Sequence, residues 1–215
     1  MGGATGGVGA PTGPGPVRTA AVRLGDARRN QGPVARMRPR PSGQTGRMGT
    51  LYLALSAAST RPEETAPDLV RLLQGKGWRV TVLCTPTGTR FHDLDALEAL
   101  TGEPVHVDFR RPGTGTSLPP PDAVLACPWS FNSTNRTALG LTDTFAVALV
   151  CEMIGRGVPT LLVPKTGDGL AGHPALDRSL RLLDEIPHVT LLRDPAHGLP
   201  PWRRVAEALA GAAVP

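Results

Sequence analysis

The chain has 215 residues, a length typical of one domain or of one domain with a tail. Hydrophobic residues make up 40% and charged residues 19%, which is ordinary for a protein with a buried core, and no apolar run reaches the roughly 18–20 residues that a membrane span requires. The three cysteines lie in separate apolar runs without metal-like spacing, so we expect neither a disulfide scaffold nor a zinc site.

The positive charge is concentrated at the start of the chain. Residues 1–48 contain eight arginines and one acidic residue, Asp26, whereas the whole chain has a formal net charge of +5. This segment is rich in glycine and proline and has no periodic apolar pattern, so it cannot bury enough surface to offset the entropy lost on ordering. We expect residues 1–48 to be a disordered basic extension and residues 49–215 to form the folded domain. A nucleic-acid-binding arm is the weaker alternative, because no aromatic side chain is present to stack on bases.

From residue 50 onward, short apolar runs alternate with segments of helical periodicity. In chain order, strands are predicted at 51–55, 78–83, 105–109, 122–127, 159–163 and 188–192. Helices are predicted from Pro62 or Pro67 to the glycines at 75 and 77, and then over 93–100, 134–156, 171–185 and 202–212, with a loop at 128–133. This alternation predicts an α/β fold, a three-layer sandwich with a mainly parallel sheet of about six strands.

Three loops at the predicted carboxyl ends of strands are rich in serine and threonine: 56–60, 85–89 and 130–134. Ligands of such sheets bind at this edge, near the point where the strand order reverses. Hydroxyls beside a helix N-terminus can hold an anion, because the helix dipole and the unpaired N–H groups both face it. In any one loop, serine and threonine hydroxyls more often cap the helix that follows. Three such loops at one edge of the sheet nevertheless favour a phosphate-bearing ligand. The first strand is not followed by G-x-G-x-x-G, and a Walker lysine is missing, which argues against a standard NAD or ATP site.

Several segments resemble motifs of the homo-oligomeric FMN-containing cysteine decarboxylases, which include phosphopantothenoylcysteine decarboxylase and the lantibiotic-peptide decarboxylases. PWSFNS at 128–133 resembles P-A-S-A-N-T, and ALGLTDTFA at 138–146 resembles A-x-G-x-A-D-N-L. TPTGTRF at 85–91 resembles M-T-x-S-A-x-x-F. Two shorter likenesses are TGEPV at 101–105 to S-G-x-P-V and HPA at 173–175 to a later H-P-A, so the resemblance runs from about residue 50 to residue 192.

The resemblance implies a flavodoxin-like or Rossmann-like cytoplasmic protein that binds FMN, assembles as a homotrimer or a multiple of it, and acts on a small molecule. The cofactor-binding residues that it implies are Ser56, Ser59, Thr85, Thr87, Ser130, Asn132 and Ser133. By position, Ser56 and Ser59 would lie near the FMN phosphate, and Thr87 would donate a hydrogen bond to it. Ser130 would lie close to the flavin.

The resemblance also implies a catalytic role for Asn132, as the residue that binds a substrate carboxylate. An asparagine amide suits this role because its NH₂ group donates to a carboxylate. From the residues alone, Asn132 is equally well explained as the N-cap of the next helix.

The sequence departs from the family pattern at two places. The family has a histidine in an H-I-x-L segment about eight residues before the aspartate that matches Asp122, and here that place is 113–115, Gly-Thr-Gly. His106 is nearby, but at a position that the family fills with an ordinary strand residue. The P-A-M-N substrate segment is replaced by PKTG at 164–167. Without an imidazole that titrates near neutral pH, the usual acid–base arrangement is missing or supplied by other groups.

The remaining candidate residues are interpreted individually. Lys165 is read as a solvated surface lysine, with contact to an anionic substrate as the alternative. His92 follows the second loop and could approach a cofactor, whereas His173 is expected to begin a helix. Cys127 is expected to be a small buried hydrophobic residue. His188 and His197 flank the last strand and indicate no function.

Three functions follow from these observations. The first is an FMN-dependent decarboxylase or oxidoreductase acting on a small carboxylate-bearing substrate. The second is a non-catalytic flavin-binding or regulatory protein that keeps the fold without the catalytic histidine. The third is an α/β enzyme that binds another phosphorylated ligand, such as a nucleotide.

Overall fold

The computed structural model describes residues 1–3 and 49–213. Apart from its first three residues, the extension predicted at 1–48 lies outside the described residues, and its predicted disorder stays a prediction. Residues 1–40 and 41–215 separate as two units, and the described fold belongs to the second.

The sheet has five strands, all paired in parallel. They are β1 (Gly49–Leu55), β2 (Trp78–Cys84), β3 (Ala123–Ser130), β4 (Thr160–Lys165) and β5 (Val189–Leu191). Their order is β2-β1-β3-β4-β5, the flavodoxin-like order, which reverses between β1 and β3. The predicted parallel α/β fold is confirmed, and the carboxyl ends of all five strands meet at one edge.

The prediction of about six strands is wrong, because residues 105–109 do not form one. Only His106 pairs, through its N–H to the Val82 carbonyl oxygen at 3.0 Å and its own carbonyl oxygen to the Cys84 N–H at 2.9 Å. Pro104, two residues earlier, has no N–H to extend this pairing. The segment contributes one bridge at the β2 edge and then leads into the proline-rich connection at 110–121.

Seven α-helices flank the sheet in the described part of the chain. They are α1 (Ala66–Gly75), α2 (Leu94–Thr101), α3 (Phe131–Leu139), α4 (Phe145–Gly155), α5 (Asp168–Ala171), α6 (Pro174–Asp184) and α7 (Trp202–Ala212). The helix predicted over 202–212 is confirmed. Among these helices, none combines the length and the apolar character needed to cross a membrane.

One predicted helix is interrupted, another begins later than predicted, and one predicted loop is wrong. The helix predicted over 134–156 is divided into α3 and α4, because Gly140 adopts a left-handed conformation, with φ of +66°, and ends α3. The helix predicted over 171–185 begins at Pro174 as α6, with His173 as its N-cap, whereas residue 171 is the last residue of α5. Residues 128–133 are not a loop, since β3 continues through Ser130 and α3 begins at the next residue.

The helices cover both faces of the sheet, which confirms the three-layer arrangement. On β1, Leu51, Leu53 and Leu55 pack into the layer that contains α1 and α7. Tyr52 and Ala54 face the opposite layer, which contains α4 and part of α6. Because β1 is buried on both sides, its residues are apolar without the alternation of a half-exposed strand.

Candidate functional site

A cleft of about 660 Å³ lies at the carboxyl ends of β1 to β4, which is within the size range of small-molecule sites. It is lined by residues 57–59, 85–87, 91, 130–133, 136, 144, 147, 165–167 and 170. All three hydroxyl-rich loops that the sequence singled out contribute to it. Six of the seven predicted cofactor-binding residues are on its wall: Ser59, Thr85, Thr87, Ser130, Asn132 and Ser133.

The seventh predicted residue, Ser56, is fully buried beneath the cleft. Its hydroxyl donates to the carbonyl oxygen of Pro128 at 2.9 Å and accepts from the N–H of Ser130 at 2.7 Å. A serine hydroxyl has one hydrogen to donate, and here that hydrogen is used inside the protein. Ser56 therefore connects the end of β1 to the end of β3 and fixes the floor of the cleft.

The loop after β2 presents the hydroxyl of Thr87. Thr87 is exposed, and its side chain does not cap the short 3₁₀ turn Gly88–Arg90 that follows. Thr85 is buried instead, and its Oγ1 accepts the N–H of Gly88 at 3.1 Å. A Cβ atom at Gly88 would lie 2.9 Å from both Cys84 Sγ and Thr85 Oγ1, so only glycine allows the loop to pack this closely. This packing holds the loop in place and leaves Thr87 on the wall of the cleft.

The N-terminus of α3 forms the opposite wall. Ser130 is its N-cap, with Oγ accepting from the N–H of Ser133 at 3.3 Å. The alternative that Asn132 is the N-cap is therefore wrong, because Asn132 is the second helical residue and is exposed. The backbone N–H groups of Phe131 and Asn132 lie in the first turn, where no intrahelical acceptor exists. Together with the helix dipole, they favour a negatively charged or electron-rich group at this end of the cleft.

Thr144 is a candidate site residue that the sequence analysis did not identify. It is the N-cap residue of α4 and lines the cleft, but its side chain does not cap the helix. Its Oγ1 is buried and has no hydrogen-bond partner among the described residues. A buried hydroxyl without a partner is costly unless a ligand completes its bonding. The signal was present in the TDTF segment, where Thr144 stands at the asparagine of the resembled A-D-N-L motif.

Lys165, the last residue of β4, is half-buried and its side chain is held against the protein at one point. Its ammonium group crosses to the loop after β1 and donates to the Ser59 carbonyl oxygen at 2.5 Å and to Ser59 Oγ at 3.0 Å. Partial burial, together with the charge of Arg61, lowers the pKa of Lys165 below that of a free lysine. Lys165 is therefore a partly exposed lysine that lies on the cleft wall, where it can still contact an anionic ligand.

None of the described residues that line the cleft is a histidine. His92 lies close behind it, buried, with Nε2 at 2.9 Å from the Ser56 carbonyl oxygen and with no partner for Nδ1 among the described residues. Burial lowers its pKa, against the opposing effect of the hydrogen bond to Ser56. Burial therefore favours the neutral form of His92, which supports the floor of the cleft through its hydrogen bond to Ser56.

The other isolated residues take structural positions. His173 begins α6, as predicted, with Nδ1 accepting the N–H of Ala175 at 3.1 Å. His188 Nε2 lies 2.7 Å from the carbonyl oxygen of Ile154. Cys127 is fully buried in the core, as predicted, and burial raises the pKa of its thiol. In the described part of the chain, no group of three or more His, Cys, Asp or Glu residues is arranged to hold a metal ion.

Comparison with known proteins gives one family and a consistent set of folds. The sequence model of a family described as Flavoprotein matches residues 40–212. Among solved structures, the FMN-dependent cysteine decarboxylase TvaF, from thioviridamide biosynthesis, is 22% identical with a TM-score of 0.61, covering 78% of this chain and 99% of TvaF. Curated protein sequences include no significant match.

Two further structures have the same fold. MrsD from a Bacillus species is 15% identical with a TM-score of 0.60, and the match covers 77% of this chain and 96% of MrsD. The peptidyl-cysteine decarboxylase EpiD is 19% identical with a TM-score of 0.61, with 75% of this chain and 98% of EpiD covered. At these identities the structures establish the shared fold.

Proposed function

This chain belongs to the Flavoprotein family, and on that basis we propose that it binds FMN in the cleft at the carboxyl ends of its strands. The observation that carries the proposal is the position of the cleft. It spans the ends of β1 and β3, where the strand order reverses, and this is the place where sheets of flavodoxin-like order bind FMN.

The residues present fit a flavin cofactor. Phe91, Phe131, Val147 and Leu170 give the cleft apolar surface for an aromatic ring system. The unpartnered Thr144 hydroxyl offers a hydrogen bond to a polar edge of such a ring, and the N-terminus of α3 offers backbone N–H donors. When bound, FMN supplies the redox chemistry, while the protein supplies binding and orientation.

We assign the phosphate end of FMN to the loops after β1 and β2. Ser59 and Thr87 are exposed on the cleft wall, and the Thr87 hydroxyl is not used to cap the turn that follows it. Ser130 and Ser133 are bonded to each other, with 3.1 Å between their Oγ atoms, and hold the start of α3 beside the flavin. Ser56 supports these loops from beneath the cleft, and Thr85, on the cleft wall, stabilises the second loop by accepting the N–H of Gly88.

The reaction that we propose is decarboxylation, or a related oxidation, of a small carboxylate-bearing substrate. TvaF and EpiD, which share the fold, are named as cysteine decarboxylases. Asn132 is exposed beside the N-terminus of α3, where its amide NH₂ can donate to a substrate carboxylate.

A second function, flavin binding without catalysis, is favoured by one specific observation. The described residues that line the cleft include neither a histidine nor an acidic side chain, so the groups that most often act as general acid or base are missing from its wall. On this hypothesis the protein would carry or sense FMN.

Titration with FMN tests the first part of the proposal. We expect the purified apoprotein to take up FMN, with a change in visible flavin absorption and a higher melting temperature. Protein that remains colourless after incubation with excess FMN would contradict it. Release of CO₂ from cysteine-terminated peptides and small thiol carboxylates then separates the enzyme from the flavin carrier, because the carrier binds FMN and releases none.

We also propose that the protein assembles as a homotrimer, or a multiple of it, in the cytoplasm. Leu139 and Leu141, beside the glycine that ends α3, are 62% and 52% exposed, so contact with another copy there would remove two large apolar side chains from water. Light scattering at micromolar concentration measures the assembly, and a monomer mass would count against it.

A further inference from the structure

The cleft is lined by two cationic side chains and, among the described residues, by no acidic one. Arg136 is paired with the carboxylate of Asp143, which neutralises it. Lys165 forms an ion pair with none of the described residues. The electrostatics of the cleft therefore favour a ligand whose negative charge meets Lys165.

The ammonium group of Lys165 lies against the loop that follows β1. Two of its bonds go to Ser59, at 2.5 Å to the carbonyl oxygen and 3.0 Å to Oγ. An ammonium group has three N–H donors, so one donor remains for a ligand. Because Ser59 Oγ accepts from Lys165, its own hydrogen is also free to be donated. The pair brings one positive charge and two donors to the same part of the wall.

The helix after this loop does not supply the charge that an anion needs. The sequence suggested that residues 56–60 precede a helix N-terminus, but α1 begins only at Ala66. The carboxylate of Asp68 accepts from the Thr65 N–H at 2.9 Å and from the Thr65 hydroxyl at 2.6 Å, which closes a capping box. The N-terminus of α1 is thus occupied by an anion of the protein itself, and a helix-based phosphate site is not supported there.

We infer that Lys165, together with Ser59, binds the phosphate group of FMN. The inference rests on the proposed function, which places FMN in this cleft. It adds a residue for which the resembled motif gives no precedent, since P-A-M-N has no lysine where PKTG does. A phosphate bound there receives charge-assisted hydrogen bonds from β4 and from the loop after β1, and the protein prefers FMN to riboflavin for that reason.

The alternative occupant of this position is a substrate carboxylate. The two can be distinguished because FMN and riboflavin differ only in the phosphate group. A lysine that binds the phosphate affects the affinity for FMN alone. A lysine that binds the substrate affects neither flavin.

The experiment compares the affinities for FMN and riboflavin in full-length wild type, Lys165→Met and Lys165→Arg, measured by flavin fluorescence on titration. Methionine removes the charge and keeps most of the side-chain length. We expect Lys165→Met to bind FMN at least about 10-fold more weakly, the loss expected for a hydrogen bond to a charged group, and to bind riboflavin unchanged. Lys165→Arg should retain most of the FMN affinity. Added salt should weaken FMN binding more in wild type than in Lys165→Met.

Lys76→Met is the matched control, because Lys76 is exposed and follows α1 at the opposite edge of the sheet. If Lys165→Met does not fold, Lys165→Gln provides the same comparison. Unchanged FMN affinity in the charge-removing variant would overturn the inference and leave the proposed function intact. Equal losses for both flavins would also overturn it, because Lys165 would then only hold the loop. A wild type that binds neither flavin would overturn the proposed function itself.

Discussion

The hydroxyl of Ser56 and the backbone N–H of Ser130 are joined by a 2.7 Å hydrogen bond beneath the cleft. The two residues are 74 positions apart in sequence, and each stands at the end of one of the two strands between which the order reverses. This bond holds the first hydroxyl-rich loop against the start of α3. The geometry of the cleft therefore depends on a side chain that does not reach its surface.

Ser56→Ala should destabilise the fold. The substitution removes the hydroxyl donor to Pro128, whose carbonyl oxygen keeps the backbone N–H of residue 56, and leaves the Ser130 N–H without its acceptor, so we expect a loss of about 1–3 kcal/mol in the free energy of unfolding. Denaturant unfolding measures it, with the exposed Ser117→Ala as a control that should change stability by less than about 0.5 kcal/mol. If Ser56→Ala kept its stability but bound FMN more weakly, the result would support the sequence-based prediction that Ser56 lies near the cofactor.

Thr87→Val should weaken FMN binding without changing stability. Valine keeps the volume and removes the hydroxyl, and a lost hydrogen bond to a charged phosphate costs about 1.5–3 kcal/mol, or roughly 10- to 150-fold in affinity. Thr89→Val is the control in the same loop, because the Thr89 hydroxyl donates to the Pro86 carbonyl oxygen at 2.8 Å and Thr89 does not line the cleft. Equal FMN affinities in the two variants would remove Thr87 from the cofactor site.

Asn132→Asp should reduce turnover far more than FMN affinity. The change places a negative charge where a substrate carboxylate is proposed to bind, whereas the N-cap of α3 is Ser130 and remains in place. An acidic residue in the first turn suits the helix dipole, so stability should stay the same or rise by about 0.3–1 kcal/mol. Single-turnover assays and thermal melts measure the two effects. A fall in stability with full turnover would assign Asn132 a purely structural role.

Stability should decrease as the pH falls below 6.5, in part because of His92. Burial lowers the pKa of His92 in the folded state below the value of 6.5 for a free histidine, so in acid the unfolded chain binds a proton that the folded protein does not. The stability present above pH 6.5 is then lost progressively as the pH approaches the lower, folded-state pKa. His106, whose pKa burial also lowers, contributes in the same direction.

Urea unfolding between pH 5 and 7.5 tests this pH dependence. His92→Gln keeps an N–H donor for the Ser56 carbonyl oxygen and cannot be protonated, so it should flatten the decrease. His106→Gln should flatten it further when combined with His92→Gln. A His92→Gln variant with the full wild-type slope would show that His92 does not take part.

The sequence was most informative about the edge of the sheet that carries the ligand loops. Strand ends can be located because the apolar runs stop at polar, small residues, and in a parallel sheet these ends must meet. The failures have identifiable physical causes. Gly140 lies within a largely apolar segment, and periodicity alone does not distinguish a glycine inside a helix from one in the left-handed conformation. Residues 105–109 have strand-like composition, but pairing along a whole strand depends on the neighbouring chain.

The roles of individual hydroxyls could not be predicted from the sequence, because they depend on residues that are distant in the chain. Ser56 and Ser59 are three residues apart in one loop. Ser56 is nevertheless buried against the end of β3, whereas Ser59 lies on the cleft wall. The difference arises from the position of Pro128, which is 72 residues away from Ser56. Thr144 became a candidate only when the fold showed its hydroxyl to be buried without a partner.

The long sequence separation between β1 and β3 has a consequence for biosynthesis. While the chain is being synthesised, β1 and β2 emerge early, but the floor of the cleft needs Pro128 and Ser130, and the far wall needs Lys165. Pairing over such distances is slow because the intervening chain must lose much of its entropy first. Nascent chains that end before β4 therefore contain no complete cleft. Cofactor loading is in consequence a late event, which follows the synthesis of most of the domain.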